Sequence, residues 1–138
     1  ELYFLATHGG VTFGGGEPAL QSNFISEFRR LCGTGWKITI ETSLNVPQEN
    51  IERLLPMVDC YIVDIKDMNN DRYETYTGKS NTRVIENLRW LVIQGKAKQI
   101  TVRVPHIPSY NTETDIENSI HQLKEIGLSD FDRFTYRT

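Results

Sequence analysis

Val11-Thr12-Phe13-Gly14-Gly15-Gly16-Glu17-Pro18 compresses a strand, a turn and a helix start into one short stretch. The β-branched and aromatic run stops at three glycines, and a proline then stands where a helix can begin. Pro18 suits the first helical position, because its ring presets φ and its missing N–H would find no intrahelical partner there. Beyond it Leu20, Phe24, Ile25, Phe28, Leu31 and Cys32 recur at spacings of three and four, which predicts an amphipathic helix with one apolar stripe. The next β-prone run, Lys37-Ile38-Thr39-Ile40, follows directly.

The same alternation runs to the end of the chain. Cys60-Tyr61-Ile62-Val63, the run from Gln99 to Val104, and Arg133-Phe134-Thr135-Tyr136 read as further strands. Between them, Ile51, Leu54, Leu55 and Val58 mark a short helix that Pro56 should limit. Val84, Ile85, Leu88, Leu91 and Val92 mark a longer one, with Asn81 as a candidate cap and Gly95 past its end. Ile116, Ile120, Leu123 and Ile126 mark the last, capped by Asn111 or Thr112 and closed by Gly127. Strand and helix alternating at ~30 residues per unit mean parallel β with helical crossovers, an α/β fold. A closed eight-unit barrel needs about 250 residues, so 138 residues allow either an arc of a barrel or a doubly wound sheet. Periodicity leaves both open.

Composition narrows the function classes. Hydrophobic residues make up 38% and charged residues 24%, as in ordinary globular chains. A net charge of −3 gives no footprint for nucleic acid or an anionic membrane. No apolar run approaches the ~20 residues that span a bilayer. Two cysteines are too few for a disulfide scaffold or a self-contained iron–sulfur or zinc site, and fit a reducing, cytoplasmic setting. The chain opens Glu1-Leu2-Tyr3-Phe4 without Met and closes inside a strand-like run. It reads as one domain over 1–138, the core of a longer protein truncated at both ends.

In parallel α/β folds ligands bind at the carboxyl ends of the strands. This sequence places there Gly14-Gly15-Gly16-Glu17, Glu41-Thr42-Ser43, Asp64-Ile65-Lys66-Asp67, and Arg103 followed by Pro105-His106-Ile107-Pro108. Carboxylates mixed with cations suit a zwitterion better than a phosphate, and the glycines lack the spacing of a P-loop or a dinucleotide fingerprint. Plainer readings stand beside this one. The glycines could form a tight turn, Asp64 or Asp67 could cap the segment 69–76, and Lys66 could pair with either. Arg103 in a strand needs some partner. Cys32, Cys60, Trp36 and Trp90 read as packing, and His8, His106 and His121 are too scattered to suggest a metal site.

Taken in order, these segments resemble the landmarks of glycyl-radical-enzyme activating enzymes of the pyruvate formate-lyase activase type, within the radical S-adenosylmethionine superfamily. The likeness runs from Gly9–Gln21 through Glu41-Thr42-Ser43, Asp64-Ile65-Lys66-Asp67-Met68, Tyr76–Asn81 and Asn87-Leu88 to Val102–Pro108. The resemblance implies an incomplete TIM-like barrel of about five strands. It also implies S-adenosylmethionine and a [4Fe–4S] cluster, which together yield a 5′-deoxyadenosyl radical that abstracts hydrogen from a partner's glycine. Gly15, Gly16 and Glu17 would hold the methionine amino group, Asp64 and Lys66 would lie around the carboxylate and ribose, and Arg103 joins them. Glu41 and Thr42 match a pair associated with a monovalent cation and the cofactor. Implied partners are a glycyl radical enzyme, pyruvate formate-lyase or a relative, and an electron donor such as flavodoxin or ferredoxin.

Three departures qualify the likeness. The family's Cys-x-x-x-Cys-x-x-Cys, upstream of Gly-Gly-Glu, has no counterpart here, so the cluster's ligands are absent and the chain alone is expected to be inert. Gly14 stands where a serine is common and Leu44 where a glycine is common. The family's histidine beyond the next strand is also missing. Self-association through an exposed sheet edge is expected. The rival expectations are a radical enzyme with another substrate, a cluster-free binding module, and an unrelated small-ligand domain.

Overall fold

In the computed structural model, which describes residues 9–136, five parallel strands lie side by side in the order in which they occur in the sequence. They are β1 (Gly10–Phe13), β2 (Lys37–Thr42), β3 (Cys60–Asp64), β4 (Ile100–His106) and β5 (Phe131–Thr135). The order β1-β2-β3-β4-β5 resolves the ambiguity that periodicity left. A doubly wound sheet reverses direction at a switch point, whereas crossovers of one hand between successive neighbours place every helix on the same face. The sheet is therefore wound one way, as an arc of a barrel. Each strand starts and stops within a residue or two of its expected bounds. His8, the opening Glu1-Leu2-Tyr3-Phe4, Arg137 and Thr138 lie outside the described residues.

The helices are α1 (Ser22–Cys32, entered through a 3-10 turn at Pro18–Gln21), α2 (Gln48–Leu54), α3 (Asn70–Thr77), α4 (Thr82–Ile93) and α5 (Glu113–Ile126). α2 stops just short of Pro56, as the missing N–H requires. Thr112 and Asp115 close a reciprocal capping box on α5. Burial alternates along the strands: Ile38 and Ile40, Tyr61 and Val63, Ile100, Val102 and Val104 are buried. They form one core with Ile25, Ile51, Leu54, Leu88, Leu91, Ile116 and Leu123 of the helices. The intervening Thr39, Glu41, Cys60, Ile62, Asp64, Thr101 and Arg103 alternate with them and are only partly covered.

Three local expectations are corrected. The α1 stripe is not wholly internal: Ile25 is buried, but Leu20, Phe24 and Leu31 are 56%, 61% and 71% exposed. Among the described residues β1 is the edge strand, so the apolar stripe is wider than the sheet beneath it. Phe24 and Phe28 meet the ring of Phe13 from β1 edge-on, with centroids 6.2 and 5.3 Å away, and Phe28 also meets Trp36 at 6.5 Å. Asn81 occupies the cap position of α4 without capping it, because its amide is engaged elsewhere. The cap of α3 is Asn69, whose Oδ1 accepts from Arg72 N, and neither Asp64 nor Asp67.

Candidate functional site

Glycine geometry shapes the first wall of the site. Gly15 and Gly16 have φ of +77° and +59°, left-handed values that side-chain-bearing residues avoid, and nothing lies within 4 Å of where a Cβ would project. The turn leaves a bare backbone facing a cleft of about 320 Å³ at the carboxyl edge of the sheet. Gly15, Gly16, Glu17, Glu41, Thr42, Asp64, Lys66 and Arg103 all line that cleft, together with Ser43 and Ile62. The eight residues assigned to the cofactor from the resemblance thus lie at one cleft, whereas Asp67 and His106, also at strand ends, do not line it.

Their engagements differ. Glu17 accepts hydrogen bonds on both carboxylate oxygens: Oε1 from Ala19 N (3.2 Å) and Thr42 Oγ1 (2.5 Å), Oε2 from Ser43 N (2.9 Å) and Ser43 Oγ (2.6 Å). The carboxylate clamps the glycine turn to the end of β2, so it offers a ligand charge more than a vacant acceptor. Thr42 is buried, and besides donating to Glu17 its hydroxyl accepts from Leu44 N at 3.0 Å. Arg103 Nη1 lies 3.2 Å from Glu41 Oε1, and its Nε lies 3.3 Å from Asp132 Oδ2.

Asp64 differs from the other carboxylates. Its Oδ2 receives Lys66 Nζ at 2.7 Å and Tyr136 Oη at 3.2 Å, while its Oδ1 is buried with no hydrogen-bond partner. A buried acceptor without a donor costs free energy unless something fills the place. Burial pulls the Lys66 ammonium down, but hydrogen bonds to Asp64 and Tyr136 together with their charges outweigh it and hold its pKa above the ordinary lysine value. Burial raises the Tyr136 hydroxyl, and the Asp64 charge adds to that.

The loops that carry these groups are pinned by asparagine amides. Asn50 Nδ2 donates to Ala19 O beyond β1 (3.0 Å), and Asn87 Nδ2 donates to Leu44 O and Val46 O beyond β2 (2.8 and 2.9 Å). Asn81 Nδ2 reaches Asp67 O and Met68 O beyond β3 (3.3 and 2.9 Å). Beyond β4, Asn111 Nδ2 donates to Pro105 O (2.9 Å) and its Oδ1 accepts from Ile107 N (2.7 Å). Each strand-to-helix loop at this edge is therefore held by a side chain that can bond carbonyls the strand and helix leave unpaired.

A zwitterion bearing hydroxyls fits this chemistry. Lys66 and Arg103 supply cations for a carboxylate, Glu41 and Glu17 supply negative charge for an ammonium, and Asp64 adds a carboxylate that can meet a hydroxyl. S-adenosylmethionine has all three kinds of group. An iron–sulfur cluster does not fit the residues present. The two cysteines are free and on separate elements, Cys32 ending α1 and Cys60 opening β3. Among the described residues no three His, Cys, Asp or Glu side chains are grouped to hold a metal. Asp132 and Tyr136 were missed by sequence reasoning, because only the pairing of β4 with β5 sets Asp132 beside Arg103.

Residues 3–123 match the radical SAM superfamily. The chain is 36% identical over 128 residues to the (2S)-3-sulfopropanediol dehydratase activating enzyme of Klebsiella oxytoca, covering 91% of this chain and 40% of that protein. It is 34% identical over 134 residues to the 4-hydroxyphenylacetate decarboxylase activating enzyme of Clostridioides difficile, covering 92% of this chain and 42% of that protein. A domain of pyruvate-formate lyase-activating enzyme from Bacteroides vulgatus shares the fold with a TM-score of 0.61 at 20% identity, over 91% of this chain and 98% of that one. The chain spans about two fifths of the length of the curated relatives it matches.

Proposed function

The chain belongs to the radical SAM superfamily, and from that premise we propose that it is the S-adenosylmethionine-binding core of an activating enzyme that raises a glycyl radical on a partner enzyme. One observation carries the reading: eight residues from four strand ends, three of them carboxylates and two of them cations, surround a single cleft. The relatives named as activating enzymes support the same class. Bound S-adenosylmethionine supplies hydrogen-abstraction chemistry in this superfamily.

The chain's own groups bind and orient. The Gly15–Gly16 backbone permits close approach, and the negative charge of Glu17 and Glu41 attracts an ammonium. Arg103 exchanges its pairing with Glu41 for a ligand carboxylate, a geometry its planar fork suits. The Asp64 carboxylate, paired with Lys66, accepts from a ligand hydroxyl. Neither Cys32 nor Cys60 is placed for a cluster, so this chain alone binds the cofactor without cleaving it. The expected partner is a glycyl radical enzyme, pyruvate formate-lyase or a relative, with flavodoxin or ferredoxin as electron donor to the whole protein. No described helix is long and apolar enough to cross a membrane, and free thiols fit a cytoplasmic setting.

Titration calorimetry with S-adenosylmethionine tests the reading. The 138-residue chain should bind, and Asp64→Ala should weaken binding about tenfold, as loss of a charged hydrogen bond implies. Equal affinity for the variant removes Asp64 from the site, and no binding by the wild type removes the ligand. Reductive formation of 5′-deoxyadenosine by this chain would overturn its inertness.

A further inference from the structure

Gly14, just beyond β1, is a glycine that its own backbone does not require. It is exposed, and its φ lies outside the left-handed range that Gly15 and Gly16 adopt. A side chain there would meet one residue first: the three atoms nearest an added Cβ are Glu41 Oε2 at 3.3 Å, Glu41 Cδ at 3.7 Å and Glu41 Cβ at 3.8 Å. The sheet sets this closeness, because Phe13 pairs with Ile40 and the next residues in register are Gly14 and Glu41, on one face. From there Glu41 Oε1 reaches to 3.2 Å from Arg103 Nη1, and its side chain, 40% exposed, lines the cleft. We propose that Gly14 is a positioning residue, whose missing side chain lets the Glu41 carboxylate lie against the glycine turn at the cleft wall, within reach of Arg103.

A side chain at position 14 and the carboxylate of Glu41 compete for the same space. A contact of 3.3 Å is tighter than ordinary van der Waals packing, so one methyl already shifts the carboxylate by a few tenths of an ångström, and a branched side chain shifts it further. Displacement takes the carboxylate from the turn and disturbs its pair with Arg103, whose Nε is engaged by Asp132 at 3.3 Å. Glu41 and Arg103 are opposed charges that this wall offers to a zwitterion, so moving one affects both. Gly14 touches no ligand itself and acts through Glu41. This assignment rests on the S-adenosylmethionine reading above.

Calorimetry with S-adenosylmethionine on the 138-residue chain should show affinity falling about tenfold for Gly14→Val, the scale of a displaced charged contact, and by less for Gly14→Ala. The urea midpoint separates positioning from folding. Gly14→Ala removes freedom from the unfolded chain where no left-handed φ opposes it, so its midpoint should equal or exceed that of the wild type while affinity falls. Glu41→Asp draws the carboxylate back by one methylene, and in that background Gly14→Val should cause no further loss of affinity. Should Gly14→Val lower the midpoint, Gly14→Ala carries the same comparison. Unchanged affinity in both single variants, an alanine midpoint that falls together with affinity, or losses that multiply in the double variant overturn the assignment while leaving the ligand standing. A wild-type chain that binds no S-adenosylmethionine overturns the ligand reading and this assignment with it.

Discussion

Lys66 is the residue on which several forces meet, and their balance is testable by pH. Its folded pKa is raised above the ordinary lysine value of about 10.4. Its contribution to stability is therefore complete below that value and is lost as pH rises through the higher folded one. Burial raises the Tyr136 and Tyr73 hydroxyls as well, so their ionisation in the unfolded chain also favours unfolding at high pH. Urea midpoints should fall as pH climbs above about 10, and Lys66→Met should flatten that fall. At the same scale, Leu44 stands where the related family commonly has glycine, and it adopts φ +58° while fully buried. Packing of the leucine in the core overrides the backbone preference that a glycine would satisfy.

The elements whose period could be counted were legible before any coordinates. Val84, Leu88 and Leu91 announced α4 because a helix must bury one stripe, and the alternating burial of β2, β3 and β4 follows from their period of two. The strand-end residues of the site were legible for the same reason, since the end of a parallel strand is where a ligand edge forms. What stayed hidden depends on partners far away in sequence. An asparagine before a helix reads as a cap, yet Asn81 ties down the β3 loop, and Asn87 inside α4, marked in the sequence only by the family resemblance, gave no sign that it holds the β2 loop. Asn87→Leu keeps the branched shape and heavy-atom count but leaves the Leu44 and Val46 carbonyls unpaired. It should lower stability by about 2–4 kcal/mol, read as a lower urea midpoint at unchanged slope.

At the scale of the whole molecule the sheet has helices on one face, and β1 and β5 are its edges among the described residues. Beside the β1 edge Leu20, Phe24 and Leu31 are exposed, so unpaired backbone and apolar surface lie together there. Sedimentation should show association that grows with concentration, and Phe24→Lys should return the chain to monomer. A wild-type monomer across a wide concentration range would count against the edge as a contact. The sequential strand order has a further consequence, for the chain as it is made. Each strand after β1 pairs with the one synthesised before it, so every βα unit can dock as it leaves the ribosome. A doubly wound sheet must hold an early edge open until a distant strand arrives. This chain instead grows in one direction from β1, each new strand joining the sheet across one helical crossover rather than waiting for a distant partner.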